Sequence, residues 1–187
     1  DYNMFTEPNN IGIENYKTLL SDDLFWKSLY NTFYYAIISV PLNLLLSLGM
    51  AYLLNHHIKG MRAFRTMFYL PTLVPIVASA MIFKFLLAPE GYINDFLGLI
   101  GIDGPAWLLN PQWVKLSFVW MSVWCVGANM VLLLSALQGV PDDLYESASI
   151  DGANKFRQFI KITIPMISPV IFFNLVMGII NALKTFS

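Results

Sequence analysis

The chain has 187 residues, of which 57% are hydrophobic and only 12% are charged, whereas a soluble domain is about half apolar and about a quarter charged. Its net charge of -1 provides no basic field, so we expect no nucleic-acid partner. The single cysteine, Cys125, excludes an internal disulfide framework and a multi-cysteine metal site, and we expect no metal.

Residues 1–28 are polar and mixed, and we expect an external segment with a short surface helix over residues 13–20. Beyond them, charged residues are absent from four stretches: residues 28–58, 66–83, 116–141 and 162–183. A helix needs about 20 apolar residues to cross the hydrocarbon core, and barrel strands are shorter and alternate. The sequence therefore predicts an all-α polytopic transmembrane helix bundle. Its four spanning helices are expected at residues 29–54, 64–87, 114–137 and 164–186.

Pro71 and Pro75 lie inside the second segment, and Pro165 and Pro169 lie near the start of the fourth. Membrane helices tolerate proline because neighbouring groups satisfy the freed carbonyls. The pair in the second segment either kinks a helix for gating or shapes its packing, and the sequence leaves both open.

The charges of the loops predict one orientation. The first loop, residues 55–63, carries the basic residues Lys59 and Arg62. The third loop, residues 138–163, carries Lys155, Arg157 and Lys161. The second loop carries only acidic residues before segment three: Glu90, Asp95 and Asp103. Basic residues favour the cytoplasmic side of a membrane. We therefore expect loops 55–63 and 138–163 in the cytoplasm, and residues 1–28 and the second loop outside.

The third loop has an unusual pattern. Pro141 is expected to open a short helix, with Asp143 and Glu146 at the spacing of a capping box. Gly152 suits a turn, and Asp151 is a candidate cap for a second helix. That second helix has apolar residues at three- and four-residue spacings: Phe156, Phe159, Ile160 and Thr163. The pattern predicts two short helices joined at a bend, whose apolar face a soluble partner could bury in a groove.

This loop resembles the signature of permease subunits of binding-protein-dependent ABC importers. Residues 146–153 read ESASIDGA, followed by Phe156 and by ITIP at residues 162–165. The family pattern is Glu-Ala-Ala, a short spacer and Gly, then an apolar residue before Leu-Pro, so Ser147 and Ile164 are mild departures. The resemblance extends to the carbohydrate-uptake branch, the maltose and glycerol-3-phosphate type, through residues 12–16, 31–32, 65–71, 107–108 and 122–124.

The resemblance implies a role for this loop and a set of partners. The loop would dock on a cytoplasmic ATPase dimer through coupling residues Glu146, Ser147, Ala148, Asp151, Gly152, Ala153, Phe156 and Pro165. The chain would bind no cofactor and would not be an enzyme, since ATP is used by the partner subunit. Other implied partners are an external solute-binding protein, membrane lipid and a second permease subunit. That subunit is either identical to this chain or, as is usual in the carbohydrate branch, a different chain. The solute would be a sugar or related polyol, crossing the cell membrane of a prokaryote.

The resemblance also implies that the full gene encodes one more apolar segment before Asp1 and another after Ser187, since such permeases have six core helices. The same family loop would move with the ATPase as it closes on ATP, switching the helices from inward- to outward-facing. The membrane helices would form the translocation path for the solute.

Polar residues inside membrane segments are candidates for the substrate path. They are Asn129, Asn174, Asn181 and Lys184. The alternative is bonding between helices, or snorkelling of the lysine. His56 and His57 are adjacent and point in different directions, so we interpret them as polar membrane-edge residues. For Glu146 the alternative is a helix cap, and for Gly152 a simple turn glycine.

Other functional classes remain as alternatives. The chain could serve an ABC importer of a non-sugar solute or, less favoured, an ion-coupled secondary transporter, which usually places charge at the membrane midplane. A membrane enzyme would need convergent acids, bases or ligands, and the second and third segments hold no Asp, Glu or His.

Overall fold

The computed structural model describes residues 12–55 and 60–185. Within that part of the chain every regular element is helical, which confirms the all-α prediction. The helices, in chain order, are α1 Glu14–Leu20, α2 Asp23–Leu54, α3 Met61–Tyr69, α4 Ile76–Leu86, α5 Tyr92–Leu99, α6 Val114–Val123, α7 Gly127–Gln138, α8 Asp142–Ile150, α9 Lys155–Gln158 and α10 Ile164–Lys184. A 3-10 turn, Leu70–Leu73, follows α3, and a π-helical turn, Phe159–Thr163, joins α9 to α10.

Two helical stretches of the described chain are long and apolar enough to cross a membrane, Asp23–Leu54 with 32 residues and Lys155–Lys184 with 30. Two further candidates are bent pairs, and counting each pair as one span gives up to four crossings. α2 begins six residues before the predicted 29–54 because Asp22 accepts a hydrogen bond from the amide of Leu24 and caps the helix there. The predicted last residue of the fourth segment, Phe186, lies outside the described residues.

The second segment is broken instead of running straight from residue 64 to 87. The stretches Met61–Leu73 and Ile76–Leu86 meet at 97°. Val74 is extended, with ψ of 128°, and Pro75 precedes the first turn of α4. A residue before proline is driven from the helical to the extended region by the proline ring, which accounts for a break at this point.

The third segment bends by 45° between α6 and α7 without a proline. Gly127 lies at this bend against α3, and a Cβ at this position would overlap the carbonyl oxygen of Phe68. The Ser47 hydroxyl of α2 lies 3.4 Å from the carbonyl oxygen of Val126. Asn43 of α2 donates to the Ser122 hydroxyl at 2.8 Å. Polar side chains of α2 therefore contact the bend, as a membrane interior requires of backbone freed from helical bonding.

Helix α2 is the centre of the bundle and packs against α6, α7 and α10. The buried core lies where α2, α7 and α10 meet, at the end that the charge pattern places in the cytoplasm: Ala51, Leu54, Met130, Leu133, Leu134, Leu137, Val140 and Ile167. Outside this core, large apolar side chains such as Ile37, Leu45 and Phe172 are exposed. Apolar surface on this scale needs lipid or protein to cover it, as expected for a membrane bundle.

At the opposite end, the loop between α4 and α6 is fixed by one asparagine. The Asn94 amide donates to the carbonyls of Pro89 and Pro105, and its oxygen accepts from the Trp107 indole at 2.6 Å. The Trp107 ring in turn packs edge-on against Trp113, with centroids 5.2 Å apart. These bonds join distant parts of the loop into one compact unit.

Candidate functional site

Helix α8 and the turn that follows it form the candidate coupling site. The turn has the two backbone bonds of a Schellman motif, from Gly152 to the Ser149 carbonyl at 3.1 Å and from Ala153 to the Ala148 carbonyl at 2.9 Å. Gly152 has φ of +77°, a left-handed conformation that glycine adopts without steric cost. The predicted turn at Gly152 is therefore present, and it ends α8 with a defined geometry.

Both predicted side-chain caps of this loop are wrong. Pro141, not Asp143, precedes the first turn of α8, and no side chain caps that end. Asp151 ends α8, and it is Asn154 that caps the following helix by accepting from the amide of Arg157 at 2.8 Å. Asp151 and Asn154 are both capping residue types and lie three positions apart. Only Asn154 follows the Schellman turn and precedes the next helix, so Asn154 is the cap.

The second short helix is also not a separate element. α9, the π-helical turn and α10 form one continuous stretch, Lys155–Lys184. The predicted start of the fourth segment at residue 164 follows from the last charged residue before it, Lys161. A run of apolar residues shows which part of a helix lies in the bilayer, but it does not show where the helix begins. Pro165 lies in the first turn of α10, where proline is tolerated because the first amides lack intrahelical partners.

The predicted apolar face of this stretch is divided between two directions. Phe156 is 74% exposed and Ile160 is exposed as well, whereas Thr163 is buried. Phe159 packs against Tyr52 of α2, with ring centroids 4.9 Å apart. The π-helical turn widens the helix and changes the angular spacing on which the single-face prediction depended.

An exposed surface remains around the turn. Ile150, at the end of α8, is 87% exposed, close in sequence to the exposed Phe156. Glu146 and Ser147 are also exposed, and Ala148 and Ala153 are half-buried. The Glu146 carboxylate makes no hydrogen bond or ion pair with the part of the chain that the structure describes, and it does not cap α8. Its charge is available to a partner.

Side-chain hydrogen bonds of Gln158, Tyr145 and Thr163 hold α8 in place; the sequence reasoning missed the first two and assigned Thr163 to an apolar face. Gln158 is 3% exposed, and its amide nitrogen donates to the Ser149 hydroxyl at 2.8 Å and to the Ala153 carbonyl at 3.1 Å. The hydroxyls of Tyr145 and Thr163 are hydrogen-bonded at 2.8 Å. The only signal in the sequence was a glutamine between basic residues, which is typical of an exposed position.

A cavity of about 810 Å³ lies behind α8, between it and the ends of α2 and α7. Its lining is mixed in character and includes Tyr52, Gln138, Asp142, Lys155 and Phe159. No cluster of three potential metal ligands occurs among the described residues. His56 and His57 lie outside them.

The predicted path residues lie on two helices that pack against each other, Asn129 on α7 and the other three on α10. Asn174 is buried and its amide donates to the Val170 carbonyl of its own helix at 2.9 Å. Asn129 is half-buried in α7, and Asn181 and Lys184 are exposed near the end of α10. Asn43 and Ser47 of α2, which were not among the predicted polar sites, contact the bend of the third segment. A path role for the four predicted residues stays a prediction.

With this geometry established, sequence comparison decides the family. Residues 43–187 match the family described as "Binding-protein-dependent transport system inner membrane component". The chain belongs to this family. Its members are subunits of transport systems, and the ESASIDGA segment, α8 and the Schellman turn all lie inside the matched region. The predicted family and the prediction of a multi-pass membrane protein are confirmed.

Several relatives are similar over nearly the whole chain. A probable ABC transporter permease protein, YesP of Bacillus subtilis, is 40% identical over 100% of this chain and 61% of its own length. The lactose transport system permease protein LacF of Rhizobium radiobacter is 35% identical over 94% and 60%. The trehalose/maltose permease protein MalF of Thermococcus litoralis is 35% identical over 100% and 64%. The chain thus spans under two thirds of these relatives.

A solved structure has the same fold. It is a bacterial ABC transporter involved in the import of the acidic polysaccharide alginate, and the superposition has a TM-score of 0.83 at 29% identity. The match covers 97% of this chain and 64% of the other. Another structure of an alginate transporter contains a periplasmic protein bound to an alginate pentasaccharide, with a TM-score of 0.82.

Proposed function

We propose that this chain forms the core of a transmembrane permease subunit in an ATP-driven importer that takes up a sugar or related polyol. An external binding protein delivers the solute, and a cytoplasmic ATPase dimer docks on α8. A second permease subunit, a different chain, completes the path. This chain binds no cofactor and hydrolyses no ATP. The observation that carries the proposal is an exposed, acidic and apolar helix end, built on a Schellman turn at the end of a membrane bundle.

The surface of α8 suits a docked partner better than it suits water. Ile150 and Phe156 expose apolar area, and the Glu146 carboxylate, one helical turn before Ile150, has no partner among the described residues. An apolar helix face set in a groove supplies binding energy, and a charge at its edge supplies orientation. ATP-driven closure of the partner would then displace α8 and switch the helices between inward- and outward-facing states.

The solute class is supported by the relatives, whose names cover lactose, trehalose, maltose, arabinooligosaccharides and sn-glycerol-3-phosphate. The test is uptake by proteoliposomes that contain the full-length chain with its partner permease, ATPase and binding protein. These five solutes serve as probes. ATP-dependent uptake of at least one is expected. Uptake of none, with ATP hydrolysis stimulated by a non-sugar solute, would identify a different substrate class. Uptake driven by an ion gradient without ATP would refute the proposal.

The docking role of Glu146 has a separate test. Glu146→Gln removes an exposed charge that has no partner within the described chain, so permease abundance should not change. Affinity for the ATPase should fall by roughly ten-fold if a basic partner residue faces it. Glu90→Gln, an exposed acid in the loop at the opposite end, is the matched control and should leave affinity unchanged. Equal affinities for both variants would remove Glu146 from the docking surface.

A further inference from the structure

A docked helix can move a membrane bundle only if it is held firmly to that bundle. The chain between α8 and α9 is short, residues 151–154, and its Schellman turn fixes the end of α8 through backbone bonds. A single turn of this kind still leaves α8 free to pivot about it. The side-chain bonds on either side of the turn therefore decide whether α8 and the following helix move together.

Gln158 provides the first of these attachments. Its amide nitrogen bonds the Ser149 hydroxyl in the last turn of α8 and the Ala153 carbonyl in the linking turn. The Ser149 hydroxyl also donates to the Tyr145 carbonyl at 2.7 Å, so the chain of bonds reaches further along α8. Because the glutamine is 3% exposed, water does not compete effectively for these bonds.

The second attachment joins Tyr145 to Thr163, at 2.8 Å between hydroxyl oxygens. Thr163 is 3% exposed and ends the π-helical turn, Phe159–Thr163, whereas Gln158 immediately precedes that turn. π-helical turns are rare and are frequent at functional sites. Here the turn separates two attachment points that hold α8 at both its middle and its end.

We infer that Gln158, with Tyr145 and Thr163, forms a clamp that makes α8 and the helix Lys155–Lys184 one rigid body. These are positioning residues, and the inference rests on the proposed docking of α8. The cavity of about 810 Å³ lies between this body and the ends of α2 and α7. The body meets α2 through the Tyr52 and Phe159 rings. Without the clamp, motion of the docked helix is absorbed at Gly152.

The experiment measures the distance between α8 and α10 directly. The full-length chain in its complex, with Cys125→Ala, carries spin labels at Asp143→Cys and Ser168→Cys, both exposed positions. Pulsed electron paramagnetic resonance records the distribution of distances between the two labels, without nucleotide and with ATP plus vanadate. One narrow distance, the same in both states, is expected. A distance that changes with nucleotide in the parent complex would show two bodies and overturn the inference.

Removing the clamp should release α8. Gln158→Ala is expected to broaden the distance distribution and to make it depend on nucleotide, while ATP hydrolysis continues because the docking surface is intact. Loss of one net hydrogen bond shifts the balance between clamped and released states by roughly five-fold. Gln112→Ala, an exposed glutamine of the opposite loop, is the matched control and should match the parent. A Gln158→Ala distribution identical to the parent would overturn the inference.

Variants that remove a single hydroxyl group test the clamp if Gln158→Ala does not reach normal abundance in the membrane. Tyr145→Phe and Thr163→Val each remove one hydroxyl of the same hydrogen bond. Each should therefore broaden the distance distribution, and the double variant should broaden it no further. Unchanged distributions in both would overturn the inference. Failure of the ATPase to bind the parent chain would instead refute the proposed function, and the labelled chain alone in nanodiscs still tests the clamp. There, too, Gln158→Ala should broaden the distribution.

Discussion

Substitutions at Gly152 separate backbone strain from docking. The residue has φ of +77°, and a Cβ built there meets no atom within 4 Å of the described chain. The left-handed conformation costs an L-residue about 1–2 kcal/mol. Gly152→Ala therefore reports strain alone. Gly152→Asn should cost less, because asparagine enters this region more readily than alanine does.

Gly152→Arg carries the same backbone strain as alanine but also places a long cation at the docking surface. If that surface fits a cleft, the lost contact costs about 2 kcal/mol or more beyond the strain, which is over ten-fold in affinity. The assay is the dissociation constant of the purified ATPase for the permease in nanodiscs, with thermal stability measured in parallel. Alanine and arginine should lower stability equally, and only arginine should weaken ATPase binding further.

If Gly152→Arg binds the ATPase as tightly as Gly152→Ala, nothing of the partner lies near this turn. A Cβ at Gly152 meets no atom of the described chain within 4 Å, so the destabilisation that both variants share comes from the backbone conformation and not from a clash of the Cβ. Loss of binding by alanine and asparagine alike, at normal stability, would instead indicate that the partner contacts the glycine backbone closely.

Three further predictions concern stability and topology. Gly127→Ala should reduce thermal stability and membrane abundance, because its methyl group overlaps a backbone carbonyl of α3, whereas Gly49→Ala, with open space around it, should not. Asn94→Ala should leave the outer loop open to protease in intact cells, since the loop loses part-buried hydrogen bonds that each contribute about 0.5–1.5 kcal/mol. Single cysteines at Arg62 and Asp103 should react with an impermeant thiol reagent from opposite sides of the membrane, and labelling of both from outside would contradict the orientation.

The sequence predicted the helical, membrane-spanning nature of these segments because charge is excluded from hydrocarbon, and the described residues contain up to four crossings if each bent pair counts as one. The sequence left open whether Pro71 and Pro75 kink a helix or shape its packing. The structure has a break at Pro75, where proline disfavours helix in the preceding residue, and its 97° angle depends on packing. The 45° bend at Gly127 had no local signal. It rests on the close approach of α3 and on bonds from α2, contacts between residues far apart in the chain.

The coupling site divides in the same way. The turn at Gly152 followed from residue type, because few residues adopt positive φ. The clamp did not, because Gln158 lies among basic residues and becomes buried only when the helix continues through residue 164. The caps were misassigned because Asp143, Asp151 and Asn154 are all residue types that favour the N-cap position, and only the observed backbone distinguishes them.

The length of the final helix explains why a clamp at Gln158 matters. Lys155–Lys184 has 30 residues, about 45 Å at 1.5 Å per residue, whereas the hydrocarbon core is about 30 Å thick. The first turns of this helix, with Lys155, Arg157 and Lys161, therefore extend beyond the hydrocarbon. Force applied to α8 is therefore transmitted to the part of helix Lys155–Lys184 that lies outside the hydrocarbon, and it can tilt the whole helix because the helix is continuous. The broken second and third segments have no such continuity, so we expect relative motion within the bundle to concentrate at their bends.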